Sequence, residues 1–209
     1  MQLAYAKRVG LSAHGHYATP DIHFDKTKEK GHPFAYHVYG TAITTVTVDC
    51  LRGTYEFDSV KLVHDFGSSM NTIIDRGQIE GGLVQGIGWM NMEEIVYDAT
   101  GKLRSNALST YKVPDIYSVP KEISIDFLQT QKDNLAIFRS KAVGEPPLMY
   151  GIGAFFALRN AIKNFNPSLR PAFDAPMTPE KVLMNLYPGK IKQLINKQQQ
   201  VAAEEVKEL

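Results

Sequence analysis

The clearest β pattern along the chain lies between residues 42 and 64. β-Forming residues run from Ala42 to Asp49 and again from Tyr55 to about His64, with Leu51-Arg52-Gly53 between them. Two such runs joined by a turn predict a β-hairpin. Apolar residues also alternate with polar ones over residues 123–127, which predicts a further strand with residues 136–138 as its partner.

Helical spacing of apolar residues marks three other segments. It extends over residues 71–95, over residues 148–165, and from Thr178 to about Tyr187. Two prolines precede the second segment and Thr178-Pro179 opens the third, and both arrangements are typical of a helix start. Strands and helices without a regular β-α-β alternation predict an α+β fold.

The remaining residues flank this central part. Residues 1–33 are polar and rich in His and Lys, so we expect an irregular N-terminal segment. Residues 34–187 then form the main domain. Residues 188–209 form a C-terminal tail with an amphipathic helical pattern.

Composition excludes several function classes. The 209 residues carry a net charge of +1, which leaves no basic footprint for nucleic acid. No stretch approaches the roughly 18 apolar residues that cross a bilayer, and the first residues lack the apolar core of a signal peptide. We therefore expect a cytoplasmic protein with no membrane or nucleic-acid partner. The single Cys50 excludes an internal disulfide and an iron–sulfur cluster held by four thiolates of this chain.

Histidines are frequent near the N-terminus, but they do not form a recognisable metal site. His14 and His16 flank a glycine, with further histidines at positions 23, 32 and 37. A metal site needs converging ligands and groups that orient them. The spacing shows neither, so solvated loop histidines are the favoured interpretation.

A glycine-rich segment, residues 77–88, contradicts local helix propensity. Five glycines lie inside a helical pattern, and each costs roughly 1 kcal/mol relative to alanine. Gln78, Gly82 and Gln85 share one helix face, which suits close approach of a flat polar ligand. Tight packing against another helix, with the glutamines at its rim, is an equally good explanation.

A second unusual segment holds one carboxylate between a glycine and two prolines. Glu145 follows Gly144 and precedes Pro146-Pro147 at the entrance of an apolar helix. The prolines stiffen the turn and favour an extended Glu145. In an apolar pocket such an acid would have a raised pKa and could act as a base. An exposed glutamate near the positive end of a helix is the alternative.

Together, the chain's motifs resemble the molybdenum-binding subunit of the xanthine dehydrogenase/aldehyde oxidase family, and most closely its xanthine dehydrogenases. The similarity spans about residues 10–180, in family order, and matches the C-terminal part of that subunit. It rests on Leu11-Ser-Ala13, Tyr17-Ala-Thr-Pro20, Pro33-Phe-Ala-Tyr36, Tyr39-Gly40, Val48-Asp-Cys50, Asp65-Phe-Gly-Ser-Ser69, Gly77-Gln-Ile-Glu-Gly81, Ser109-Thr-Tyr-Lys-Val-Pro114 and Lys141-Ala-Val-Gly-Glu-Pro-Pro147. Asn71-Thr72, where the family often has Asn-Pro, is a peripheral departure.

The resemblance implies a reaction and roles for three residues. Family members hydroxylate an electron-poor carbon of a purine or an aldehyde with oxygen from water, using molybdenum bound by a pyranopterin (molybdopterin). Glu145 would be the general base. Gln78 and Gly144 would lie at the cofactor, and no protein side chain would bind the metal.

The resemblance also implies that this chain is only part of an enzyme. The pterin loops and substrate-orienting residues of the family have no counterpart here. We expect the remainder of the molybdenum subunit, 2Fe-2S clusters and FAD on partner chains or missing domains, and no turnover by this chain alone. An aldehyde or other N-heterocycle oxidoreductase, or a non-catalytic fragment of a split gene, are the alternatives.

Overall fold

The structure, a computed structural model, describes residues 1–128, 135–191, 193–194 and 196–197. Its centre is a three-stranded mixed sheet of β3 (Gly40–Val48), β4 (Tyr55–Asp65) and β5 (Glu122–Leu128), with β4 in the middle. Strands β3 and β4 form the predicted antiparallel hairpin. Strand β5 lies at the predicted place and pairs with β4 in parallel. The α+β prediction is confirmed.

Helices cover one side of this sheet. Helix α2 (Thr72–Asn91) and helix α3 (Ile152–Phe165) pack together, and α4 (Pro179–Leu186) packs against α3. The apolar faces of the strands and of the helices pack against each other in one core. Its fully buried members include Val60, Leu62, Ile79, Leu83, Ile87, Leu158, Ile162 and Val182.

The helix starts follow the signals in the sequence. The Asn71 side chain caps α2 by accepting hydrogen bonds from the amides of Ile73 and Ile74, so the family departure at Thr72 leaves the cap intact. The Thr178 hydroxyl caps α4, with Pro179 at the first helical position. The predicted helix after the two prolines begins as a 3-10 turn, Pro146–Gly151, and becomes α-helical only at Ile152.

Two predictions about local structure are wrong. Residues 137–139 form a 3-10 turn and no strand, because the backbone of residues 139–141 instead pairs with residues 66–68. The N-terminal segment is not wholly irregular. It contains α1 (Gln2–Ala6) and a small antiparallel pair, β1 (His23–Asp25) with β2 (Lys30–His32).

The chain's last residues are only partly described. Residues 188–191 are helical, and the part of the predicted amphipathic tail beyond residue 197 lies outside the described residues. Within the described part, no helix has the length and hydrophobicity needed to span a bilayer. Cys50 lies just after β3 and is half-buried, as its strand-end position predicts.

Candidate functional site

Two glycines of the glycine-rich segment, Gly82 and Gly86, are explained by close contact with the backbone of another segment. An added Cβ at Gly86 would lie 2.1 Å from the carbonyl oxygen of Leu148, and one at Gly151 would lie 2.1 Å from the carbonyl carbon of Gly86. At Gly82 a Cβ would lie 3.1 Å from the carbonyl oxygen of Gly144. Helix α2 therefore packs directly on the Pro146–Gly151 turn, and the close-packing explanation holds for these positions.

The opposite side of α2 is open. Nothing lies within 4 Å of a Cβ placed on Gly77 or Gly81. With Ile73 and Gln85, these glycines form a stripe at four-residue spacing in which every residue is exposed. Gln78 is also exposed beside this stripe. Tight packing therefore accounts for Gly82 and Gly86 but leaves Gly77 and Gly81 unexplained.

Glu145 lies at the entrance of the 3-10 turn, as predicted, but its conformation and surroundings differ from expectation. Its backbone is helical, with φ −94° and ψ −43°, and not extended. The cost of a helical residue before proline is offset by a hydrogen bond from the Leu148 amide to the Glu145 carbonyl, 3.1 Å. The side chain is exposed, so the described residues do not enclose it in an apolar pocket.

The segment that carries two of the predicted site residues, Gly144 and Glu145, approaches the helix that carries the third, Gln78. The Gly144 carbonyl approaches α2 at Gly82, which is one helical turn beyond Gln78. Glu145 follows directly. The structure therefore brings the segment of Gly144 and Glu145 against the helix that carries Gln78, although Gly144 lies 66 positions after Gln78 in the sequence.

A buried ion pair holds the start of the Glu145 segment. The Lys141 ammonium lies 2.5 Å from Asp65 Oδ2, and the side chains of Lys141 and Asp65 are 7% and 0% exposed. The ammonium also donates to the His37 carbonyl at 2.9 Å and lies 5.6 Å from the centre of the Tyr39 ring. An ion pair this far from water requires such additional partners.

A second buried contact holds the end of the same segment. The Tyr150 hydroxyl lies 2.6 Å from Nδ1 of His64, which is fully buried. A Cβ at Gly40 would lie 1.7 Å from this hydroxyl, so only glycine fits beside it. Lys141, Asp65, His64 and Tyr150 were not predicted as site residues. Lys141 and Asp65 occur in family motifs, but no spacing indicates that these motifs touch.

Burial of His64 has a consequence for stability. Desolvation lowers the pKa of His64, and this outweighs the opposing effects of a backbone hydrogen bond at Ala142 and of the Asp65 charge. The unfolded chain therefore binds a proton more readily than the folded one, so this histidine's contribution is complete above pH 6.5 and is lost as pH falls below it.

We expect His64→Asn to reduce the loss of stability between pH 7.5 and pH 5.5, because asparagine keeps a polar atom near Tyr150 but does not titrate. Urea unfolding at both pH values measures the effect. His14→Asn, at an exposed histidine, is the control and should leave the pH dependence unchanged. An identical pH dependence in the wild type and His64→Asn would contradict the assignment.

Metal ligation by side chains has no candidate among the described residues. They contain no group of three or more His, Cys, Asp or Glu side chains arranged to hold a metal ion. The N-terminal histidines at positions 14, 16, 23, 32 and 37 are all exposed, as predicted, but His23 and His32 lie in the paired strands β1 and β2 and not in loops.

Comparison with known proteins identifies the family. The family model described as "Molybdopterin cofactor-binding domain" matches residues 1–120, more than half of the chain. The chain belongs to this family. Within the molybdopterin-binding proteins its relatives are molybdenum hydroxylases, in agreement with the resemblance of the motifs.

Three relatives of this chain illustrate the match. Xanthine dehydrogenase/oxidase of Mus musculus is 41% identical over 186 residues, covering 86% of this chain and 14% of the relative. Aldehyde oxidase 1 of Oryctolagus cuniculus is 36% identical over 187 residues, covering 88% and 14%. The structure of the aldehyde oxidoreductase from Desulfovibrio gigas is similar with a TM-score of 0.61 at 32% identity, covering 79% and 17%. The chain thus spans about one seventh of the length of its curated relatives.

Proposed function

We propose that this chain supplies the general base and one wall of the cofactor cavity in a molybdenum hydroxylase of xanthine dehydrogenase type. The observation that carries the proposal is the approach of the Gly144 carbonyl to Gly82 of α2, because Glu145 follows Gly144 and Gly82 lies one helical turn from Gln78. Glu145 belongs to a motif shared with the family. The 41% identity to the mouse xanthine dehydrogenase/oxidase, against 36% to the rabbit aldehyde oxidase, supports the xanthine type.

The residues present fit a molybdenum-pyranopterin. Exposed Gln78 and Gln85 offer amide donors, and the exposed Gly77 and Gly81 on the same helix add no side chains. A flat, polar, hydrogen-bonding ring system can approach such a surface closely. When bound, the cofactor supplies the centre that accepts electrons from the substrate carbon.

The chain's own residues have distinct roles in this proposal. Gln78 donates a hydrogen bond to the cofactor, and Gly144 allows its backbone to come close. Glu145 accepts the proton that water loses as its oxygen is transferred to the carbon of a purine or aldehyde.

The exposed side of α2 supports assembly with further protein. The side chains of Ile73 and Ile74 are 83% and 59% exposed, beside the glycine stripe. Adjacent exposed apolar residues are typical of a surface that another chain or domain covers. The proposed partners are the remainder of the molybdenum subunit and the iron–sulfur (2Fe-2S) and FAD components. We further propose that this assembly works in the cytoplasm.

Reconstitution with the remainder of the molybdenum subunit tests the function. We expect no oxidation by this chain alone, and xanthine oxidation in the assembled enzyme with kcat/KM at least about tenfold above that for aldehydes or other N-heterocycles. A preference for aldehydes would contradict the xanthine type. Stoichiometric pterin binding and xanthine oxidation by this chain alone would contradict the proposal of an incomplete site, and an inactive assembly would favour a non-catalytic fragment.

A further inference from the structure

Two neighbouring residues at the end of β4 hold the segment that carries Glu145 at both of its ends. Asp65 binds Lys141, four residues before Glu145, at 2.5 Å. His64 binds Tyr150, five residues after Glu145, at 2.6 Å. Neighbouring strand residues point to opposite faces, so the two contacts restrain the segment from two directions.

The contacts between these two anchors are made mainly by the backbone. The Lys141 amide donates to the Phe66 carbonyl at 2.9 Å, and the Ala142 amide donates to the Tyr36 hydroxyl at 3.0 Å. Further along, Gly144 and Pro147 pack on Gly82. The Glu145 side chain is exposed, so its position depends on how firmly its backbone is held.

We propose that Lys141 and Tyr150 are positioning residues that fix the location of the Glu145 carboxylate. Neither is assigned contact with substrate or cofactor. The proposal rests on the role of Glu145 as general base, but the restraint itself is a property of this chain and can be measured separately.

The restraint explains why so much buried polarity is concentrated here. Lys141 and Asp65 together place an ion pair away from water, which costs desolvation and gives little net stability. A pair of apolar side chains would hold a loop without this desolvation cost, but it would fix the direction of the loop less precisely. Catalytic groups need placement to within about 0.5 Å, and side chains locked by hydrogen bonds provide it.

The variants Tyr150→Phe and Lys141→Met each remove one anchor, and Lys141→Arg restores the charge. Tyr55→Phe is a matched control because the Tyr55 hydroxyl also donates buried hydrogen bonds, to the carbonyls of Asn91 and Met177, but outside the Glu145 segment. Tyr150→Phe removes a single oxygen atom, so it tests the proposal even if Lys141→Met does not fold.

Hydrogen exchange of the full 209-residue chain measures the restraint without any activity. We expect Tyr150→Phe to increase amide exchange in residues 142–148 about three- to tenfold, with no increase in β3 or β4. Tyr55→Phe should leave residues 142–148 unchanged. Unchanged exchange in residues 142–148, or an equal increase throughout the chain, would overturn the proposal.

Kinetics of the assembled enzyme test whether positioning acts through Glu145. We expect each anchor variant to lower kcat about ten- to a hundredfold with KM nearly unchanged, Lys141→Arg to recover part of the loss, and Tyr55→Phe to retain kcat. In a Glu145→Gln background the anchor variants should have no further effect. An undiminished additional loss there would overturn the proposal. Full activity of Glu145→Gln alone would instead contradict the proposed function and leave the exchange result to decide the restraint.

Discussion

Alanine in place of Gly86 is expected to destabilise the chain by about 3 kcal/mol. The added methyl group would lie 2.1 Å from the Leu148 carbonyl oxygen and 3.1 Å from Cα of Gly151. Both are backbone atoms of the turn that leads into α3, so no side-chain rotation can make room for it. The helix and the turn would have to separate, which opens the core around Leu83 and Ile87.

Urea unfolding followed by circular dichroism gives the change in free energy, and Gly81→Ala is the matched control on the same helix. A Cβ at Gly81 meets nothing within 4 Å, so alanine there should raise the free energy of unfolding by about 0.5 to 1 kcal/mol through its higher helix propensity. Equal effects of the two substitutions would show that propensity, and not the backbone contact, determines the cost at Gly86.

Alanine is expected to lower the free energy of unfolding at Gly86 and to raise it at Gly81. This difference shows which part of the helix could be understood from the sequence. The run of glycines in residues 77–88 indicated that something must compensate a poor helix former. It could not indicate which glycines are in contact, because the partner is the turn at residues 146–151, far along the chain. Helix propensity shows that the glycines are unfavourable in a helix, and the contact with the turn at residues 146–151 explains why glycine is needed at some of these positions.

The hairpin, the helix starts and the third strand could be predicted because their causes are local. Asn71 and Thr178 cap helices through amides two or three residues away. The pairing of β5 could not be predicted in the same way. Its apolar alternation fits any free strand edge, and the nearest candidate, residues 136–138, lies at a 3-10 turn and forms no strand.

The candidate site shows the same division. Glu145 and Gln78 were predicted from the residues next to them in sequence and from a family resemblance. The contacts that hold them were not predicted, because His64 with Tyr150 and Asp65 with Lys141 join segments that are 86 and 76 residues apart. The residues next to each partner in the sequence do not indicate the contact, because the two partners meet only in the folded chain.

Replacing Glu145 by glutamine should lower kcat of the assembled enzyme by about 10²- to 10⁴-fold, which is the usual contribution of a general base. Glutamine keeps the size and hydrogen-bonding capacity of the side chain but cannot accept the proton. The carboxylate is exposed in this chain, so the free energy of unfolding should change by less than about 0.5 kcal/mol. Steady-state kinetics and urea unfolding of the same preparations separate these two effects.

Glu180→Gln provides the control for charge removal. Glu180 is also exposed and also lies in the first turn of a helix next to a proline, but in α4 and away from Gln78. Its substitution should leave kcat unchanged. If Glu145→Gln retains activity as Glu180→Gln does, Glu145 is not the base. If both lose activity equally, the effect arises from charge at helix starts. Selective loss at Glu145 is the result that the proposal predicts, because Glu145 follows Gly144, which approaches α2 one helical turn from Gln78.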